Sequence, residues 1–400
     1  MTVYVILFLL SLGGYFFNVN GSKQKRKIYL VFIFVCILLI AVLRDYSVGT
    51  DLYKYYSKYY PMFKNVDWDK LQSVTISGDW EWGFCAFCKV LAQISPNTQL
   101  FIIGSSIISI IPYAIFIYKN SEDVVFSTFF YIAFHIFMMS LNIVRQAMAV
   151  GIVLIGFEAL KRKQHYKFVI YVLIATLFHT TAVVALLYLI IDRLEYKKHT
   201  LYLLTGATLV FSIGYRVIFN LVLNTTGLSA LYGIYGISGQ GDSGGYITFH
   251  TLGMFCIALM IFAIGHIYLE VYGYQKTTYT LSLAKESKMG FSHHALIVRK
   301  TRRKYLVSWS ESLVMYAVYF AVLFRFNAFI INVTSRFAMY FFPFLMISFP
   351  HSLAKMNKKS DKMLYMGIMI AALALFFFVI IITRAEALWG TLPYRFYWYN

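Results

Sequence analysis

The stretch KFVIYVLIATLFHTTAVVALLYLIIDRL, residues 167–194, is apolar almost throughout, and basic residues lie at both of its ends. Lys161 and Lys163 precede it, and Arg193 and Lys198 lie at its far end. Because Lys and Arg favour the cytoplasmic side of a membrane, both ends favour the same side, which a single crossing cannot provide. A fold-back near His179 gives two arms of about 12 residues, each about 18 Å long as α-helix. The stretch therefore predicts a broken, re-entrant hairpin with His179 at its outer tip.

The composition of the whole chain places this hairpin in a membrane protein. The 400 residues are 60% hydrophobic and 13% charged, which excludes a single soluble core with a polar surface. Apolar runs recur at residues 3–17, 28–43, 98–118, 124–141, 143–160, 168–191, 200–215, 248–270, 305–324, 337–353 and 363–382. With both hairpin arms counted, we predict an all-α, polytopic membrane protein of about 12 transmembrane or half-crossing helices.

The net charge of +19 comes largely from Lys and Arg residues in the segments between the apolar runs. Threading the chain so that basic segments face the cytoplasm places both termini outside and needs no nucleic-acid partner. We predict one transmembrane domain over residues 1–400. Within it we expect an external or interfacial segment at 44–97, an external Gly-rich loop at 216–247 and a basic cytoplasmic loop at 271–304.

Several ionisable residues converge on the outer boundary in this threading, although they come from separate stretches of the chain. They are Arg44, Asp51, Arg145, His179 and Arg336. A charge at membrane depth is costly and usually faces a wet, functional cavity. The alternative is a purely structural role, since a long basic side chain at a helix end can extend to the interface between membrane and water.

These residues lie in motifs whose order resembles that of a known family. The motifs are RDYSVGTDLYKYY from residue 44, EWGF from 81, IVRQAMA from 143, the hairpin itself and SRFAMYFFPF from 335. In this order they are similar to the landmarks of the EpsG and Wzy type bacterial polysaccharide polymerases. The family tends to have a glutamate directly before Gly-Phe, whereas here Trp82 separates Glu81 from Gly83.

The resemblance implies a GT-C-like membrane glycosyltransferase that elongates a glycan on undecaprenyl diphosphate, at the outer face of the bacterial plasma membrane. A diphosphate leaving group needs fixed positive charge, for which we predict Arg44, Arg145 and Arg336. The acceptor hydroxyl needs a general base, for which Asp51 and His179 are the candidates. Candidate glycan contacts are Tyr55, Tyr56, Glu81, Trp82 and Tyr340.

No cofactor is predicted, because arginines can neutralise the diphosphate in place of a metal ion. The expected partners are undecaprenyl-diphosphate-linked glycans, membrane lipid, a chain-length co-polymerase and a flippase. Two other functions remain open for the chain itself. A lipid-linked oligosaccharide flippase or transporter commonly shows internal repeats, which the two halves lack. An O-antigen ligase would use closely related chemistry.

Overall fold

The described part of the chain is built from helices. The computed structural model describes residues 1–74, 80–226, 248–286, 309–383 and 389–398, with side chains at all of these positions except 54–55, 215–226, 270–286 and 309–310. The α-helices are α1 (Thr2–Gly13), α2 (Lys23–Val42), α3 (Ser57–Tyr59), α4 (Trp82–Ile94), α5 (Thr98–Asn120), α6 (Val124–Ala133), α7 (Ile136–Asn142), α8 (Val144–Lys161), α9 (His165–Thr176), α10 (Leu187–Ile191), α11 (Lys198–Thr226), α12 (Phe249–Glu286), α13 (Trp309–Asn327), α14 (Thr334–Ala338), α15 (Phe342–Lys355) and α16 (Lys359–Thr383). Short 3-10 helices lie at Val19–Gly21, Tyr60–Lys64, Trp68–Val74 and Thr180–Leu186, and a π-helical turn lies at Leu52–Tyr56. The predicted all-α class is confirmed over these residues.

Three of the described helices are long and apolar enough to cross a membrane. They are Thr98–Asn120, Phe249–Leu269 and Lys359–Thr383. A fourth span is possible if the bent pair α6 and α7 counts as one. The membrane class is therefore supported, and the total of about 12 crossing or half-crossing helices stays a prediction.

The predicted fold-back of this apolar stretch is confirmed by contacts at its base, and its re-entrant position in a membrane stays a prediction. Lys163 Nζ donates to both carboxylate oxygens of Asp192 at 2.9 Å, and His165 Nε2 lies 2.9 Å from Asp192 Oδ2. A continuous helix from residue 163 to residue 192 would hold these groups about 40 Å apart. The chain instead goes out along α9 and returns through the 3-10 turn Thr180–Leu186 and α10, with an extended His179 between the two arms.

The apolar run 124–141, predicted as a single helix, is divided in the structure. Helices α6 and α7 meet at 48°, and His135 lies at the break with a φ of 63°. Such a left-handed conformation is uncommon in a residue other than glycine. The imidazole stacks on Phe377 and packs against Phe376 and Trp389, so tertiary packing holds a bend that no Gly or Pro marks in the sequence.

The last described residues of the chain lie against the segment that follows α2. Residues 389–398, here called the C-terminal strap, hydrogen-bond along residues 43–49. The bonds run from Asp45 N to Arg395 O, from Tyr397 N to Leu43 O and from Gly49 N to Gly390 O, at 2.9, 3.1 and 2.8 Å. Gly49 has a φ of 110°, and a Cβ there would lie 2.6 Å from the Leu141 carbonyl oxygen. Glycine is therefore required where the strap, this turn and α7 meet.

The predicted external segment 44–97 forms a small aromatic core of its own. Tyr56, Phe63, Trp80 and Phe84 pack together and against Phe101 of α5. This packing seats the segment on the first turns of α5 and α8. The two other predicted segments begin as helix, since α11 runs to Thr226 and α12 to Glu286, and positions 227–247 and 287–304 lie outside the described residues.

Candidate active site

The Glu81 carboxylate joins three parts of the chain that are far apart in sequence. Its Oε2 accepts a hydrogen bond from Arg145 Nη1 at 2.7 Å. Its Oε1 lies 3.0 Å from His179 Nδ1 and accepts a bond from the backbone N–H of Thr180, also at 3.0 Å. The side chains of Glu81 and His179 are about nine-tenths buried. A carboxylate, a guanidinium and an imidazole therefore form one connected polar group, here called the Glu81 cluster.

Local backbone geometry brings these groups together. Glu81 is the extended residue directly before α4, and Arg145 lies in the first turn of α8, just after the bend at Ile143. The hairpin tip packs on the start of α4, where the Phe84 N–H donates to the Leu177 carbonyl at 3.0 Å. The short motif EWGF thus places its glutamate beside the hairpin tip.

The electrostatics of Glu81 favour a permanently ionised carboxylate. Burial alone would raise the pKa of Glu81, but the His179 hydrogen bond and the positive charge of Arg145 outweigh it and hold the pKa at about 2. Because an ionised carboxylate only accepts hydrogen bonds, the proton of a neutral His179 lies on Nδ1. The other ring nitrogen, Nε2, is then a free acceptor, and it has no hydrogen-bond partner among the described residues.

Arg145 lies over aromatic rings as well as beside Glu81. Its guanidinium carbon is 5.8 Å from the Trp80 ring centroid and 6.0 Å from that of Phe84. Its side chain keeps 21% of its area exposed. The aromatic core of segment 44–97 therefore orients the guanidinium while leaving part of it accessible to a ligand.

Arg336 and Tyr340 approach the same group from the second half of the chain. Gln146 of α8 donates through Nε2 to the Arg336 carbonyl at 2.6 Å. Tyr340 Oη lies 3.1 Å from Thr181 Oγ1 at the hairpin tip. Arg336 is exposed, acts electrostatically on His179 and forms no ion pair with a described carboxylate. Its positive charge is consequently available to an anionic ligand.

Asp51 lies near this group through its interaction with Tyr56. Its backbone N–H donates to Asn142 Oδ1 at 2.9 Å, which ties it to the end of α7. Its side chain is half-buried and acts electrostatically on Tyr56, which in turn interacts with Arg145. Asp51 stays a candidate base beside the Glu81 cluster.

Arg44 lies in a different environment from the other two predicted arginines. It is 1% exposed, and its backbone bridges to Phe396 in the C-terminal strap. Its Nε and Nη1 have no hydrogen-bond partner among the described residues. A buried charge without a counter-ion is costly. Arg44 therefore stays a candidate phosphate ligand, although no described contact joins it to Arg145 or Arg336.

The predicted glycan contacts differ in their exposure to solvent. Trp82 is 50% exposed at the start of α4, whereas Tyr56 and Tyr340 are buried. The side chain of Tyr55 lies outside the described residues. Glu81 is also a predicted glycan contact, but its two carboxylate oxygens are engaged by Arg145, His179 and the backbone N–H of Thr180. In the described part of the chain, no group of three or more His, Cys, Asp or Glu side chains could hold a metal ion.

Gly83→Ala is expected to destabilise the protein by about 1–3 kcal/mol, because an added Cβ would overpack the hairpin contact. That Cβ would lie 2.6 Å from Leu177 Cβ and 2.9 Å from the Leu177 carbonyl oxygen. Thermal unfolding in detergent measures the loss. Gly367→Ala in α16 is the matched control, since nothing lies within 4 Å of a Cβ there. Equal stability of the two variants would contradict the close packing described for Gly83.

Comparison with known families confirms the family that the sequence motifs resemble. The model of the EpsG family, a family of Wzy-like polysaccharide polymerases, matches residues 27–396, nearly the whole chain. The match spans the Glu81 cluster, Arg336 and most of the C-terminal strap. No curated protein and no solved structure gives a significant match.

Proposed function

Since the chain belongs to the EpsG family, we propose that it polymerises oligosaccharide repeat units carried on undecaprenyl diphosphate. By family it is a membrane polysaccharide polymerase. The finer assignment is a glycosyltransferase at the outer face of the bacterial plasma membrane, with both chain ends on that side. Its product belongs to the O-antigen, capsular or exopolysaccharide class.

The observation that supports this proposal most directly is the Glu81 cluster with Arg336 beside it. Transfer requires the acceptor hydroxyl oxygen to bond to the anomeric carbon of the donor while the bond from that carbon to the diphosphate oxygen breaks. The hydroxyl proton must go to a base, and the diphosphate must leave as an anion. The cluster contains a candidate group for each of these demands.

We assign the base to His179. Its Nε2 accepts the acceptor proton, while Glu81 holds the Nδ1–H and stabilises the imidazolium that forms. Asp51 is the second candidate for this role. Glu81 becomes a positioning residue in this assignment, since its oxygens already bind protein groups.

We assign the leaving diphosphate to Arg145 and Arg336. A guanidinium is a planar donor that keeps its charge when partly buried, and it suits bidentate contact with phosphate oxygens. Arg145 is oriented by Glu81 and the rings of Trp80 and Phe84, and exposed Arg336 completes a positively charged border beside His179. Metal-independent transfer follows from this assignment. Among the predicted glycan contacts whose side chains the structure describes, Trp82 has the largest exposed fraction.

Purified chain in lipid vesicles, supplied with a defined undecaprenyl-diphosphate repeat unit, tests the function. We expect a ladder of products that differ by one repeat unit and the release of undecaprenyl diphosphate. A repeat unit that crosses the bilayer unchanged would instead identify a flippase. Transfer of a single finished glycan to another acceptor, without a ladder, would identify a ligase.

A further inference from the structure

A cavity of about 390 Å³ lies at the opposite end of α8 from Arg145. Its walls come from the last turns of α5 and α8 and the first turns of α9. Helix α8 has 18 residues and is about 27 Å long, so the cavity lies close to the far membrane boundary from the Glu81 cluster. In the threading of the chain this is the cytoplasmic side. We call it the basic cavity.

The helices around the basic cavity are held close together. A Cβ on Gly151 would lie 2.3 Å from the Ile108 carbonyl oxygen, and a Cβ on Gly156 would lie 2.6 Å from Tyr171 Cβ. These two glycines allow α8 to pack tightly on α5 and on α9. Lys161 Nζ donates to Asn120 Oδ1 at 2.7 Å and ties the two helix ends together. The cavity is therefore preformed between fixed walls.

The charges of the basic cavity are unbalanced. Lys119, Arg162 and Lys167 line it together with a single carboxylate, Glu158. Glu158 is already engaged by Lys119 at 3.4 Å and by Lys161 at 3.7 Å. Arg162 and Lys167 are exposed and form no ion pair with a described carboxylate. Two cations therefore remain to attract an anion.

The remaining wall of the basic cavity is apolar and faces outward. Ile115 and Ile155 line it and are 43% and 44% exposed, and Leu154 and Tyr171 lie beside them. Free phosphate would gain nothing from such a wall. A lipid that carries a phosphodiester beside acyl chains matches both halves of the lining, and basic pockets between membrane helices on the cytoplasmic side favour anionic headgroups.

We propose that the basic cavity binds the headgroup of an anionic phospholipid from the cytoplasmic leaflet, with Arg162 and Lys167 as the phosphate ligands. The bound lipid holds the ends of α5 and α8 against the base of the re-entrant hairpin. The site is separate from the Glu81 cluster, and its test needs no glycan substrate.

Thermal unfolding of the full chain in neutral detergent tests the site, with phosphatidylglycerol, phosphatidylcholine or inorganic phosphate added. Phosphatidylglycerol at saturation is expected to raise Tm by about 3 °C or more, as a ligand specific to the folded state does. Phosphatidylcholine and inorganic phosphate should give no comparable rise. A rise of equal size with phosphate would overturn the lipid assignment.

The double variant R162Q/K167Q should lose most of the phosphatidylglycerol-dependent rise and at least tenfold in lipid retention by native mass spectrometry. K358Q/K359Q is the matched control, because it removes the same charge from exposed positions outside the cavity on the same predicted side. Equal retention by both double variants would refute the site. If R162Q/K167Q does not fold, Ile155→Trp narrows the apolar wall without changing charge, and full lipid retention in that variant would equally refute it.

Discussion

His179→Ala is expected to lower the rate of repeat-unit transfer by about 10²–10⁴-fold, the usual contribution of a positioned general base. The physical reason is the state of the imidazole. Glu81 accepts the Nδ1–H at 3.0 Å, so Nε2 is the nitrogen left to take the proton of the acceptor hydroxyl. Single-turnover transfer in vesicles, read as the rate at which the first elongated product forms, measures the loss. Membrane insertion should be unchanged.

The matched control is His199→Ala, since His199 is exposed at the start of α11 and far along the chain from the hairpin tip. It should retain the wild-type rate. Asp51→Asn separates the two candidate bases. A fully active His179→Ala together with an inactive Asp51→Asn would move the base to Asp51, and full activity in both would remove both residues from the proton transfer.

Arg145→Ala is the second substitution with a large expected effect, about 10²–10³-fold on transfer. It removes a fixed positive charge from the position assigned to the leaving diphosphate. It also leaves Glu81 without the ion pair that now measures 2.7 Å, for an expected loss of about 1–3 kcal/mol of stability. Arg145→Lys should recover the stability better than the transfer rate, because a lysine is a point charge and cannot form the planar double contact with phosphate. Thermal unfolding and transfer rate, measured on the same preparations, separate the two effects.

Arg193→Ala is the control for Arg145→Ala, because Arg193 is exposed at the base of the hairpin. Wild-type ladders from Arg145→Ala would remove this arginine from the mechanism. A loss of transfer that disappears once stability is restored by added lipid would make Arg145 a purely structural residue.

The sequence predicted the hairpin because the relevant information is local. Basic residues at both ends of one apolar stretch require both ends to lie on the same side, whatever the rest of the chain does. The contacts of Lys163 and His165 with Asp192 confirm the fold-back. The order of the short motifs predicted the family in the same way, and the match over residues 27–396 confirms it.

The bend at His135 could not be predicted in this way. Neither a glycine nor a proline marks it, and the run 124–141 has the apolar character of a continuous helix. The left-handed backbone there is held by aromatic rings from the other end of the chain, Phe376, Phe377 and Trp389. Such packing between distant segments leaves no local pattern in the sequence.

The candidate site likewise has features that the local sequence predicts and features that depend on packing between distant segments. Composition and charge indicated that the chain lies in a membrane and predicted which ionisable residues approach its outer boundary, because the cost of burying a charge depends on the residue and its neighbours in the run. Only the tertiary structure decided that Glu81 joins Arg145 and His179, partners 64 and 98 residues away, and that Arg44 is buried and paired with the C-terminal strap. Hydrogen bonds between distant residues depend on how helices pack in three dimensions, which residue spacing does not specify.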